Sequence, residues 1–181
     1  YVYDELVEHL KIFNKNRVIL IAGNPALKRI IIDGVYYIDK KPLNETCFSK
    51  DPEFPIKSSI IKDIVKKTSD VDIFVGVKSS DEIPIHGIVI GDVVNSTDLE
   101  LWAKRINDDT LPSGSAGFFN YILKSKFADN IINHVIDNEF KNFGENILLV
   151  FGSSYSKNNS FINQIEKNGF FISDMPIDLY N

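Results

Sequence analysis

The run Arg17-Val18-Ile19-Leu20-Ile21-Ala22 constrains the fold more than any other feature of this sequence. It is apolar from Val18 onward and shows no alternation, so it predicts a strand covered on both faces, as in a sheet layered between other elements. Comparable strands are expected at residues 72–77, at Gly87-Ile88-Val89-Ile90-Gly91-Asp92, at Asn146-Ile147-Leu148-Leu149-Val150-Phe151 and at Gly169-Phe170-Phe171-Ile172. Helical patterns fall between them. Leu6, Leu10 and Phe13 share one face of residues 2–13, with acidic residues early. Ser58 or Ser59 can cap a helix running to about Lys67. Thr97 and Glu100 have capping-box spacing for a helix through Ile106. A broken helical pattern spans residues 118–143, and a further helix is expected over 161–167. Strands alternating with helices define the α/β class.

One exception to that alternation stands between the first strand and the second. Ile30-Ile31-Ile32 and Val35-Tyr36-Tyr37-Ile38 flank Asp33-Gly34, the signature of a two-residue β-hairpin turn. Asp39-Lys40-Lys41-Pro42 reads as a second turn. Residues 44–55, with two prolines and no period, read as an extended loop.

Composition sets bounds on function. Hydrophobic residues make up 44% of 181 residues, enough for a substantial core. The net charge of -5 and the scatter of Lys and Arg among acids argue against nucleic acid as a partner. A single cysteine, Cys47, excludes a disulfide framework or a cysteine metal site and suits a reducing cytoplasm. His9, His86 and His134 show no ligand spacing, so no metal site is assigned. No apolar run is long enough for a membrane span.

Three short segments carry candidate chemistry. Gly23-Asn24-Pro25-Ala26-Leu27-Lys28-Arg29 follows the first strand, at the strand end where α/β sheets collect ligands. Ser113-Gly114-Ser115-Ala116-Gly117 precedes a helix; it is either a tight turn with a helix cap or an anion site formed by free N–H groups. Gly152 to Ser156 follows a strand, but its Gly152-Ser153 start lacks the full phosphate-loop pattern. Arg29 suits a carboxylate or phosphate, or is simply a surface residue at a strand start. Asp92, ending a strand, is a turn or cap residue or a site residue. Trp102, on a helix face with Leu99 and Ile106, is assigned to the core, and Tyr36-Tyr37 to the hairpin.

These segments, in this order, resemble the four-carbon acid sugar kinase family. Gly23 to Arg29 resembles the family's proline-containing loop ending in Gly-Arg, with Lys28 standing in place of the glycine. Asp33-Gly34-Val35-Tyr36 resembles its hairpin. Pro42-Leu43-Asn44-Glu45-Thr46 resembles its "Pro-Leu-x-Glu-Thr" segment, and the stretch from Phe48 to Pro55 its "Phe-Ala-x-Asp-Pro" stretch. Asp92 with Asp98-Leu99 resembles the strand-end aspartate and the following helix start. Gly114-Ser115-Ala116-Gly117 resembles its "Gly-Ser-Ala-Gly-Leu-Ala" loop, here continued by Phe118-Phe119. The strand and loop from Ile147 to Ser153 resemble the start of its nucleotide-binding domain.

The resemblance implies ATP-dependent phosphorylation, with Mg²⁺, of a threonate, erythronate or 3-oxo-tetronate type acid by a cytoplasmic bacterial enzyme. It places Arg29, Asp92, Gly114 and Ser115 on the acid-sugar side and Ser153 on the ATP side. It divides the chain into the end of a sugar-acid-binding α/β domain (1–125), a helical connection (126–145) and the start of a nucleotide-binding α/β domain (146–181). The family's acidic "Ala-Asp-Asp-Leu-Thr-Gly" and "Lys-x-x-Asp-Ser-x-Leu-Arg-Gly" motifs are expected before Tyr1, and the catalytic base with them, so the chain reads as an internal fragment. A small-molecule sugar acid and ATP are the expected partners, and a homodimer is one expected assembly. The alternative from another class is a non-catalytic α/β ligand-binding or interaction protein derived from such a kinase.

Overall fold

The computed structural model describes residues 2–127, 166–169, 171 and 173. The chain divides into two compact units, Tyr1–Asn133 and His134–Asn181. The first unit contains α1 (Val2–Ile12), β1 (Arg17–Ile21), β2 (Arg29–Ile32), β3 (Val35–Ile38), β4 (Lys41–Pro42), α2 (Ile61–Ile64), β5 (Ile73–Val77), β6 (Gly87–Gly91), α3 (Ser96–Lys104), β7 (Thr110–Gly114) and α4 (Ala116–Phe127).

A four-stranded parallel sheet runs in the order β5-β6-β1-β7. Its two inner strands explain the unalternating sequence. Val18, Leu20, Ile88 and Ile90 point to one face, where Tyr3, Leu6, Val7 and Leu10 of α1 cover them together with Ile31, Ile61 and Val65. Ile19, Ile21 and Val89 point to the other, against Leu99, Trp102 and Ala103 of α3, Ile106, and Phe118 of α4. Each apolar residue finds a partner whichever way it points, so every position can be apolar. The result is three layers: α1 with a small second sheet, the parallel sheet, and α3 with α4. Tyr3 keeps its hydroxyl bonded inside this packing, at 2.8 Å to the Val71 carbonyl.

The small sheet is an antiparallel meander, β2-β3-β4. Asp33 (φ 48°) and Gly34 (φ 74°) both adopt left-handed backbone, the two-residue hairpin turn that Asp-Gly predicts. Asp39 and Lys40 repeat this geometry (φ 49° and 67°), so the second turn leads into a short third strand. The meander is tied to the parallel sheet by a two-way backbone pair between Ile31 and Val93, at 2.8 and 3.0 Å.

Three expectations are corrected. The helix from Ser58 or Ser59 to Lys67 reduces to the single turn Ile61–Ile64: Ser59 is buried and spent on Asn44, and Ser58 donates to Asp63. The cap of α3 is one box earlier than Thr97 and Glu100. Asn95 accepts from Thr97 N (2.8 Å) and Asp98 N (3.2 Å), and Asp98 accepts from Asn95 N at 3.0 Å. Thr110 to Gly114, read as part of a turn and loop, is strand β7, paired with β1 from Arg17↔Thr110 to Ile21↔Gly114. Pro112 disguised it, because proline cannot donate to a ladder; on an edge strand that costs nothing.

The strand at residues 146–151, the loop at Gly152-Ser153-Ser154, and the nucleotide-side residue Ser153 lie outside the described residues. Of the last expected helix, Glu166 and Lys167 are helical; of the strand expected from Gly169, the described Gly169 and Phe171 are not in strand.

Candidate functional site

The parallel strands all end at one edge of the sheet, and the site candidates of the first unit are distributed along it. Gly114 is the last residue of β7 and lies opposite Ile21, the last of β1. Its φ is 141°, and a Cβ there would stand 2.1 Å from the Ile21 carbonyl oxygen, so the chain can leave the sheet this way only through glycine. Ser115 N then donates to that same Ile21 oxygen at 2.8 Å. The Ser115 hydroxyl donates to the Gly23 carbonyl at 2.8 Å and accepts from Phe118 N at 3.3 Å. It therefore caps α4 and ties the helix start to the loop after β1, leaving no hydrogen to donate elsewhere.

That loop is closed on itself. Asn24 N donates to Arg29 O at 2.7 Å and Arg29 N to Asn24 O at 3.1 Å, around a 3₁₀ turn at Pro25–Leu27. Lys28 takes left-handed backbone (φ 56°, ψ 27°), the conformation that glycine adopts without penalty. The loop keeps its shape at a cost of about 1–2 kcal/mol for a residue with a Cβ. Lys28 also pairs with Asp39 at 3.1 Å. The Arg29 side chain, by contrast, is exposed at the start of β2 and has no hydrogen-bond or ion-pair partner among the described residues. It is the available cation of this loop.

Two residues that the sequence did not single out complete the edge. Asn24 lies flat against Gly117 in the first turn of α4: a Cβ on Gly117 would meet Asn24 Oδ1 at 3.0 Å. That Oδ1 is buried and has no hydrogen-bond partner among the described residues, an arrangement that costs about 1–3 kcal/mol and calls for a reason. Tyr36, on β3, reaches back to the Ala22 carbonyl at 3.5 Å, the outer limit of a hydrogen bond. Burial pushes its phenol pKa up, and the nearby Arg29 charge pulls it down. Hairpin alternation carried a signal for Tyr36. Counting from the Asp33-Gly34 turn puts it on the face of Ile31 and Arg29. Asn24 had no such signal beyond following a strand end.

Asp92 is at the same edge but its carboxylate is already engaged. Only 7% exposed, it accepts from Asp33 N at 2.6 Å and from Gly34 N at 3.0 Å, the two amides of the β2–β3 turn. Its backbone carbonyl accepts from the Trp102 indole at 2.9 Å. Of the two readings open from sequence, the geometry is that of a turn clasp. Burial pushes the carboxyl above its ordinary pKa, opposed by the Gly34 and Asp33 amides; the Asp33 charge adds to the rise and Lys78 works against it. Asp92 thus positions the meander that carries Arg29 and Tyr36.

The opposite edge of the sheet holds a groove of about 240 Å³ bordered by Asn16, Asp70, Asp72 and His86. Asp72 is paired there with Lys67 at 2.8 Å. Among the described residues no group of three His, Cys, Asp or Glu could hold a metal ion, and no helix is long and apolar enough to cross a membrane.

A parallel α/β layer with a cation, a capped helix start and glycine-lined loops at its C-terminal edge has the arrangement at which open α/β sheets collect small ligands. Residues 2–122 match the family described as the sugar-binding N-terminal domain, and the chain belongs to that family. Its fold is that of the DUF1537 proteins. A Haemophilus influenzae member is 16% identical with a TM-score of 0.55, over 63% of this chain and 31% of that one. A Bordetella bronchiseptica member, crystallised as a domain-swapped dimer with bound citrate, is 18% identical with a TM-score of 0.55, over 67% and 32%. A Salmonella typhimurium LT2 protein reaches 0.56 at 12% identity, over 65% and 32%. The chain thus spans about a third of the length of these structures. No curated protein matches it.

Proposed function

We propose that this chain supplies the acid-sugar side of an ATP-dependent kinase for four-carbon sugar acids of the threonate, erythronate or 3-oxo-tetronate type. The observation that carries the reading is the Arg29 guanidinium, without a partner among the described residues and held at the C-terminal edge of the sheet by the closed loop after β1. A fork of donors there suits a ligand carboxylate. Gly114, Ser115 and Gly117 bring the start of α4 to the same loop, and the N–H groups of such a helix start favour oxygen-rich, negatively charged ligands. Citrate in the Bordetella neighbour supports a carboxylate-bearing ligand for this fold, and its domain-swapped dimer supports a homodimer as the assembly.

The roles belonging to this chain's described residues are binding and orientation. ATP and Mg²⁺ would supply the phosphoryl group and the charge neutralisation that such transfer requires. Ser153, the residue proposed for the nucleotide, is outside the described residues, and the described ones offer no cluster for the metal. A catalytic base is proposed outside the described residues, with the cytoplasm as the compartment.

The test is isothermal titration of the chain with threonate and erythronate, beside Arg29→Ala. Binding that weakens at least about tenfold in the variant, the loss expected for a charge-assisted contact, supports the reading. Equal binding by both proteins contradicts it. ATP turnover with these acids by the whole gene product separates a kinase from a non-catalytic binding protein.

A further inference from the structure

We infer that the Tyr36 phenol is a second ligand-binding group, which donates to the carboxylate that Arg29 holds and so selects acids over uncharged polyols. This rests on the sugar-acid reading of the same site. In the meander register Arg29 lies opposite Ile38 and Tyr36 opposite Ile31. Arg29 and Tyr36 are therefore diagonal neighbours on one face, a separation that long and aromatic side chains span. The buried Ile31 fixes that face as the one turned to the rest of the molecule. Tyr36 itself is partly buried and packs against the core that contains Ile31, so its ring is anchored while its hydroxyl reaches toward the Ala22 carbonyl.

The hydroxyl has donor capacity to spare. Its one contact among the described residues, to Ala22 O, is 3.5 Å long, against about 2.7–2.8 Å for a normal O–H···O bond. Ala22 directly follows β1, so the phenol points at the strand end around which the Asn24 loop and the α4 start are gathered. Arg29 is the charge that acts on the phenol, and it is itself unpartnered among the described residues. A cation without a partner among the described residues and a hydroxyl held only by a long bond, on one face of the meander, form a two-point receptor for one carboxylate. Lys28, the neighbouring cation, is drawn instead to Asp39.

Tyr36→Phe keeps the ring and its packing and removes only the donor. Wild type and variant are titrated with citrate, threonate and the uncharged analogue threitol, and tyrosine difference absorption is recorded on wild type during the citrate titration. The expected result is acid affinity weakened about tenfold or more in the variant, as for loss of one hydrogen bond to a charged group. Threitol binding should be the same in both, and a tyrosine difference signal should saturate with citrate in the wild type. Undiminished acid binding by Tyr36→Phe, or citrate binding to wild type without a tyrosine signal, overturns the role of Tyr36 and leaves the sugar-acid reading standing. A wild-type chain that binds no acid overturns both.

Discussion

At the scale of single residues, two charged side chains at one sheet edge have opposite roles. Arg29 is exposed and unpartnered among the described residues, so Arg29→Ala should leave the urea unfolding midpoint unchanged while acid binding falls. Asp92 is buried and holds two backbone amides, so Asp92→Asn should destabilise the fold by about 1–3 kcal/mol, because an amide nitrogen then faces one of those donors. The pH dependence has a definite sign. Burial raises the Asp92 pKa in the folded state, so folding favours its protonated form. Its stabilising contribution is complete below its unfolded pKa and is lost as pH rises through the folded one. Urea unfolding measured across the acidic range should show this decline in wild type and lose it in Asp92→Asn. Sequence alone left Asp92 between clasp and site residue, since the deciding contact crosses from position 92 to positions 33 and 34. Sequence alone likewise left Arg29 between a ligand cation and a surface residue at a strand start, and Tyr36 was not singled out because a tyrosine in a hairpin already has a structural purpose.

Among the elements, the junction from β7 to α4 is the most constrained. Gly114→Ala places a Cβ 2.1 Å from the Ile21 oxygen, and this should cost about 3 kcal/mol or more in chemical unfolding, since the obstacle is backbone. Ser115→Ala removes a helix cap and a tie to Gly23, and should cost about 1–2 kcal/mol. Gly117→Ala is different. Its new methyl meets the Asn24 amide rather than backbone, so it should disturb ligand binding more than thermal stability. The unalternating run of β1 and the Asp-Gly turn were plain in the sequence, because each reflects a constraint local to a few residues. Strand β7 was hidden by its proline, and the shortness of α2 by serines that turn to Asn44 and Asp63 instead of capping a longer helix.

For the molecule as a whole, the three layers of the first unit follow from sheet strands that are apolar on both faces. Trp102 is the largest fully buried side chain of the layer under α3, and its indole is bonded to Asp92 O. The α/β class and a sheet covered on both faces were readable, from the alternation of strands and helices and from the unalternating run of β1; which helix covers which face was not, because that rests on contacts distant in sequence. The chain spans about a third of the length of its structural neighbours; acid binding is proposed for this domain and phosphoryl transfer for the whole kinase.

Amide chemical-shift mapping of the chain during a threonate titration tests the central claim most directly. The account predicts saturable shifts at Asn24, Arg29, Tyr36 and Ser115 to Phe118, at the C-terminal edge of the sheet. Shifts confined to the groove beside Asp70 and His86, or no saturable shift at all, would contradict it.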